Sequence, residues 1–425
     1  MKSHRSTAGW LLLAAVVCTA VNTLWPQLTN SWAGLLTWSA GFLLWSGLPT
    51  HTRRQVVILI SVGSIGLLWG LTQHLTPDWA MMLSGNAQLL SMLAAVSFLR
   101  LITRPDNNPE RVMPQGKRAV WSTLFGVHLF GAVINLSSVF IMGDRLRGKT
   151  GLDREQIIVL TRGFSAAAFW SPFFAAMAAA MTYAPGARLE RIWLMGMPLA
   201  IIALMITGYG RRHPRKFVGY PMHPSALALP AILALAILLI HQLRPEWHIL
   251  GIICLLSPTL ALLIVSTRQQ PLLQLHRHIT QDIPTMHNEL CLFLAANVMA
   301  AGLNALFQGF GGWLPFSQFG GLEASMTLLF MLITSIVGVH PVINIAALGT
   351  LLAPLQPDGT LLAMTFLSAW AVGVACSPFS GINLSMQGRY DQYSLASLKW
   401  HGNYSLVMFF CSLAALNLYA ALWLE

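Results

Sequence analysis

The chain has 425 residues, of which 55% are hydrophobic and 9% charged, and its mean hydropathy is +0.62. Soluble domains carry roughly 25% charged residues, so this composition excludes an ordinary water-solvated protein, a disordered chain, a disulfide-framed secreted domain and a nucleic-acid-binding domain. The formal net charge is +11, but the Lys and Arg residues sit in short connectors between apolar runs, where they orient a chain in a membrane rather than build a basic surface.

A membrane span needs about 20 predominantly apolar residues. By that ruler the sequence predicts an all-α polytopic membrane protein with eleven spans, at 9–25, 31–48, 55–73, 79–100, 157–184, 191–208, 222–242, 248–266, 288–308, 361–387 and 401–424. The basic segment Met1 to Ser6 ahead of the run Gly9 to Trp25, with no small-residue cleavage site, predicts a retained first span. Two more apolar stretches, Ala119–Ile141 and Ala324–Leu355, are punctuated by Gly126, His128, Gly131 and Asn135 and by Gly338, His340, Pro341 and Asn344. Drawn as re-entrant hairpins, they leave every Lys and Arg on the cytoplasmic side except Arg162, inside a span, and Arg188, Arg191 and Arg244 outside. The expected order is a cytoplasmic N-terminus, four spans, a hairpin from the inside, five spans, a hairpin from the outside and two last spans. The five cysteines, Cys18, Cys254, Cys291, Cys376 and Cys411, stand singly in apolar stretches with no metal-ligand or redox spacing.

Three tripeptides recur in order. Gly126-Val127-His128 returns as Gly338-Val339-His340, Val133-Ile134-Asn135 as Val342-Ile343-Asn344, and Ser171-Pro172-Phe173 as Ser377-Pro378-Phe379, at offsets of 212, 209 and 206. They predict two inverted repeats within one transporter unit spanning 1–425. The first core is 79–208 (hairpin 119–141, broken helix 157–184) and the second is 288–425 (hairpin 324–355, broken helix 361–387). Irregular backbone at membrane depth is tolerated only inside protein or against a wet cavity. Hairpin tips and Ser-Pro breaks therefore mark a candidate site, where free helix ends can meet an anion and a coupling cation.

All fourteen carboxylates map to loops or span ends, which argues against a carboxylate proton relay and against a hard-cation site. The groups left near the core are basic or neutral: Arg162, His128, His340, Asn135, Asn344, Ser171, Ser377, Ser380 and Asn383. Arg162 reads either as a counter-charge for an anionic substrate or as a snorkelling side chain, or one paired with Asp153 or Glu155. His128 and His340 can bind substrate, take up a proton or close a tight tip. The two asparagines can contact substrate or cap the second hairpin arm. Each Ser-Pro word can be an ordinary kink in a membrane helix.

In layout, with oppositely directed hairpins each followed by a broken helix, the chain resembles the ion transporter superfamily, and most nearly the divalent anion:sodium symporter family. That family carries Ser-Asn-Thr at each hairpin tip, contacting a carboxylate substrate and sodium. Here the corresponding places read Ile134-Asn135-Leu136-Ser137 and Ile343-Asn344-Ile345-Ala346, so the Asn alone carries over. The resemblance implies an elevator mechanism and a homodimeric scaffold.

The expected function is thus secondary active transport of a small, carboxylate-like organic anion across the cytoplasmic (inner) membrane, coupled to Na⁺ or H⁺. Neither an enzymatic activity nor a cofactor is expected, and the partners are the anion and membrane lipid. The rivals are an integral-membrane enzyme using His128 or His340 on a lipid-linked substrate, and an uncoupled anion channel.

Overall fold

The computed structural model describes residues 2–26, 31–102, 113–148, 151–210, 214–221, 228–309 and 314–424. In chain order the helices are α1 Lys2–Leu24, α2 Ser31–Leu44, α3 Thr50–Thr72, α4 Trp79–Ser84, α5 Ala87–Ser97, α6 Leu99–Ile102, α7 Lys117–Ile134, α8 Ser137–Leu146, α9 Arg154–Ala166 and α10 Ala175–Tyr183. They continue with α11 Leu189–Tyr209, α12 Ala228–Leu243, α13 Ile249–Ser266, α14 Pro271–Arg277, α15 His287–Gly309, α16 Gly321–Val337, α17 Pro341–Leu352, α18 Gly359–Cys376, α19 Gly381–Tyr390 and α20 Ala396–Trp423. Among the described residues there is no strand, only isolated bridges joining Gln115 to Val218 and Gly148 to Gly151.

Eight of the described helical segments are long and apolar enough to cross a membrane. Large apolar side chains such as Phe42, Leu235, Leu243 and Val337 face outward. The chain is a multi-pass, all-helical membrane protein. Three of the eleven expected spans, 31–48, 157–184 and 222–242, are not among these eight. The stretch 31–48 forms a helix of 14 residues closed by a 3₁₀ turn at Trp45–Gly47 ahead of Pro49. The stretch 157–184 is broken. Residues 222–227 of the span 222–242 lie outside the described residues, as do Arg104, Arg111, Lys149, Arg211 and Arg212.

The chain divides into two compact units, each assembled from separate stretches. Unit 1 holds Met1–Ile102, Leu233–Pro315 and Ile345–Pro354. Its axis is the contact of α3 with α15. A Cβ added to Gly66 would lie 2.3 Å from the Gly302 carbonyl oxygen, and one added to Gly302 would lie 2.1 Å from that of Gly63. Backbone therefore touches backbone, the close approach by which apolar helices associate without water to drive them. Asn86 Nδ2 donates to Phe293 O at 2.7 Å, and Asn297 Nδ2 donates to Met81 O at 3.1 Å and Met82 O at 3.2 Å, fixing the α4/α5 break to α15.

Unit 2 holds Thr103–Ile232, Phe316–Asn344 and Leu355–Glu425. All 18 residues of α18 are buried, packed among α9, α10, α11, α16 and α20. A helix that is apolar all round belongs at the centre of a bundle. α9 begins with a capping box in which Asp153 and Gln156 exchange hydrogen bonds, which satisfies two of its free N-terminal donors. It ends in a 3₁₀ turn at Ala167–Phe169, and helix resumes only at Ala175. α18 stops at Cys376 and α19 starts at Gly381. Pro172 and Pro378 lie inside these two gaps, where the missing N–H prevents an unbroken ladder.

Candidate functional site

Neither apolar stretch read as a hairpin is a continuous helix. α7 ends at Ile134, and Asn135 turns the chain with φ 53° and ψ −142° before α8. α16 ends at Val337, followed by Gly338 at φ 113°. Each tip is tied to a break in the same way. Ser171 Oγ donates to Ala132 O, three residues before Asn135, and Ser377 Oγ donates to Ser335 O, three residues before Gly338, at 2.5 Å in both. Each hydroxyl also accepts a backbone N–H two residues on, from Phe173 at 3.2 Å and from Phe379 at 3.3 Å. A buried serine thus joins an arm carbonyl to the irregular backbone after its proline.

This geometry matches Asn135 with Gly338, not with Asn344. The Gly-Val-His and Val-Ile-Asn words occupy different places in the two halves: Gly126–His128 is mid-helix in α7, whereas Gly338–His340 is the tip itself. A tip is set by the residue that takes positive φ, and short apolar words recur without marking it.

The other predicted residues fall into two clusters. In the first half, Trp170 Nε1 donates to His128 Nε2 at 3.0 Å; the indole can only donate, so Nδ1 bears the imidazole proton and donates to Gly163 O at 3.0 Å. Asn135 Nδ2 donates to Phe173 O at 3.3 Å. In the second half, Asn344 Nδ2 reaches Met331 O at 3.3 Å, Thr334 Oγ1 at 2.8 Å and Ser335 Oγ at 3.5 Å. It therefore meets Ser377 across Ser335. Ser380 caps α19, and Asn383 Nδ2 donates to the carbonyls of Val374 at 3.4 Å, Ala375 at 3.1 Å and Ser377 at 2.9 Å. His340 Nδ1 accepts Val342 N–H at 3.2 Å, and its ring meets Trp370 edge-on at 5.9 Å.

Arg162 is buried, with 7% of its surface exposed, and its guanidinium reaches α20. Nε donates to His401 Nδ1 at 3.2 Å, Nη2 donates to Trp400 O at 2.7 Å, and the ring of Tyr404 lies 4.4 Å below the guanidinium carbon. Asp153 serves as the cap of α9. His401 and Tyr404 were not singled out in the sequence, yet a signal was there. Ser397, His401, Tyr404, Ser405, Ser412 and Tyr419 recur at helical spacing along one buried face of α20. Ser397 Oγ donates to Cys376 O at 2.9 Å, which places the second break one turn along α20 from His401.

Two further groupings also escaped the sequence reading. Arg389 grips Asp144 through Nε at 2.9 Å and through Nη2, and Tyr390 Oη donates to Asp144 Oδ1 at 2.9 Å, clasping α8 to α19. The Arg389 hydrogen bond, with help from Tyr390, holds the Asp144 carboxyl below its ordinary range. In unit 1, Ser97 Oγ, His278 and Asp282 form a row, with Ser97 Oγ to Nε2 at 3.0 Å and Nδ1 to Asp282 Oδ2 at 3.1 Å. Ser97 Oγ also lies 2.6 Å from Ala94 O. With Nδ1 donating to the Asp282 carboxylate, a neutral imidazole turns the lone pair of Nε2 toward Ser97 Oγ, so the hydroxyl has two acceptors in reach, Nε2 and Ala94 O. Among the described residues, no three His, Cys, Asp or Glu side chains gather closely enough to hold a metal ion.

No family model matches the chain, and no curated protein matches it. Among solved structures it is similar to the crystal structure of the Alcanivorax borkumensis YdaH transporter, described as having an unusual topology, at 14% identity over 98% of each chain with a TM-score of 0.42.

Proposed function

We propose that the chain is an ion-coupled secondary transporter of a small, carboxylate-like organic anion, set in the cytoplasmic membrane with its N-terminus inside. The observation that carries this reading is the twice-built break, a proline-interrupted helix whose buried serine is bonded to a hairpin tip, beside one buried guanidinium. Discontinuous helices in paired halves are how many transporters present helix ends to a substrate and its coupling ion. A buried arginine is costly unless it is used. In this reading Arg162 supplies charge, Asn135 and Asn344 orient the anion, and His128, His340, Ser171, Ser377, Ser380 and Asn383 hold the irregular backbone in shape. The elevator motion and the dimer implied by the family resemblance belong to the same reading, with the two broken helices in the moving part.

The test is uptake by proteoliposomes of labelled succinate, isethionate and methylphosphonate. Wild-type protein should accumulate at least one of them saturably, and Arg162→Ala should abolish that uptake while remaining folded in membranes. Full activity in Arg162→Ala would refute the anion site, and a current that never saturates would point to a channel.

A further inference from the structure

We infer that His401 is the proton-binding partner of Arg162, so that one proton and one anion enter the site together; the inference rests on the transport reading above and names its coupling ion. Arg162 Nε–H is donated to the lone pair of His401 Nδ1 at 3.2 Å. That lone pair is also where a proton would bind. Once Nδ1 carries a proton it becomes a donor, and two donors cannot share one contact. Arg162 Nε–H is then released toward the substrate, and the imidazolium adds a second positive charge beside the first. The Tyr404 ring and Trp400 O hold the rest of the guanidinium in place while Nε exchanges partners. On the loading side water supplies the proton. On the release side the proton returns to water, Nδ1 takes back the Nε–H bond and the anion loses its place, so one proton and one anion cross in each cycle.

The surroundings favour a proton over sodium. At the second break each carbonyl that an unwound helix could offer a sodium ion already gives one of its two lone pairs to a protein donor. The carbonyls of Val374, Ala375 and Ser377 accept from Asn383, and that of Cys376 accepts from Ser397.

The titratable and charged groups around His401 are few. On α20 itself they are Lys399 and Tyr404, on α18 Cys376, and on α9 Arg154, Glu155 and Arg162. Arg154 is drawn to the Trp400 ring at 5.7 Å. Glu323 on α16 and Glu190 and Arg191 on α11 belong to the other end of α20, where Gly321 packs on Asn417 and Arg191 reaches Tyr419. Arg162 meets the His401 ring directly, Nε to Nδ1.

The experiment follows labelled anion uptake and internal acidification together in proteoliposomes holding pyranine, between pH 5.5 and 8, with Na⁺ or with choline. The probes are again succinate, isethionate and methylphosphonate; isethionate keeps one charge throughout this range. The key variant is His401→Asn, whose Oδ1 can accept the Arg162 Nε–H bond but takes up no proton. Wild type should carry about one proton per isethionate in choline, and His401→Asn should lower that ratio at least tenfold and lose the pH dependence of whatever uptake remains. Protons carried at the wild-type ratio by His401→Asn, or uptake by wild type that needs Na⁺ and moves no protons, would overturn the inference while leaving transport intact. A wild type that moves none of the probes would overturn the transport reading first. Should His401→Asn carry too little to count, thermal stabilisation by the same anions at pH 5.5 and 8 decides. Wild type should gain more at acid pH and the variant equally at both; a variant that keeps the wild-type dependence overturns the inference.

Discussion

The two breaks of unit 2 share a hinge and differ in everything around it. Ser171 and Ser377 make the same bonds to the same place on an arm. The first gap, between Ala166 and Ala175, is padded by a 3₁₀ turn and held at its edge by Trp193 Nε1, which donates to Trp170 O at 2.8 Å. The second gap is four residues long, Ser377 to Ser380, and is closed by Asn383 and a serine cap. Charge is one-sided as well. Aligning the two Ser-Pro-Phe words places buried Ser368 opposite Arg162. The hinge is therefore separable from the buried charge: both breaks bend alike, but the buried guanidinium of Arg162 accompanies the first and a serine stands at the aligned place before the second.

Removing the buried guanidinium should have the largest effect. Arg162→Gln should cost about 2–5 kcal/mol of anion binding, at least about thirtyfold in affinity, whereas Ser368→Ala should leave the affinity for the anion where it was; binding isotherms on purified protein decide. Asn383→Ala should come next, because it takes the amide from the carbonyls of Val374 and Ala375, while that of Ser377 keeps the Ser380 N–H, and costs about 2–3 kcal/mol of stability, against about 1 kcal/mol for Asn135→Ala, which takes it from one. The midpoint of thermal unfolding in detergent reads both. Ser171→Ala and Ser377→Ala should each cost about 1–3 kcal/mol and agree with one another closely, since each leaves a buried carbonyl and a backbone N–H without the hydroxyl. A clear inequality would mean that the two hinges are not equivalent.

The tips should respond with opposite signs. Asn135 holds φ 53° with ψ −142°, a region nearly reserved for glycine, so in Asn135→Gly the relief of about 1–3 kcal/mol of strain outweighs the roughly 1 kcal/mol lost with the amide bond to Phe173 O, for a net gain of about 1 kcal/mol. Gly338→Ala should lose about 1–2 kcal/mol at φ 113°. The smallest effect is expected at the Asp144 clasp, which is half-exposed and therefore weakly stabilising. Its carboxyl is depressed in the folded protein, so its contribution is fully present above the ordinary carboxylate range and disappears as the pH falls below it. Asp144→Asn should flatten the acid limb of the stability profile and leave the neutral region little changed.

Much of the helical architecture is legible from charge and hydropathy alone, since a chain with so few charges has to face lipid. The breaks are announced by Pro172 and Pro378, because a proline well inside an apolar run cannot continue the ladder. The registration of the tips is not announced. Gly338 advertises a positive φ, but Asn135 is one polar residue among several in its stretch, and the repeated words lie six to nine residues out of step with the backbone. The α20 cluster escaped for another reason. A search for spans counts apolar residues, while His401, Tyr404 and the serines gain their meaning from sharing one face. Arg162 finds its partners only after more than two hundred intervening residues have folded.

α18 has a consequence for how the protein is made. Every one of its residues ends up against protein, so its final surroundings would tolerate more polarity than it has, yet the segment Gly359–Tyr390 that it opens is apolar enough to qualify as a span. That surplus suits the route rather than the destination: during biosynthesis the segment must leave the translocation machinery and wait in the bilayer until α20, which follows it in the chain, arrives to help enclose it. Enclosure of α18 therefore waits for α20, and a ribosome stalled before Ala396 would leave the future centre of the bundle open to lipid.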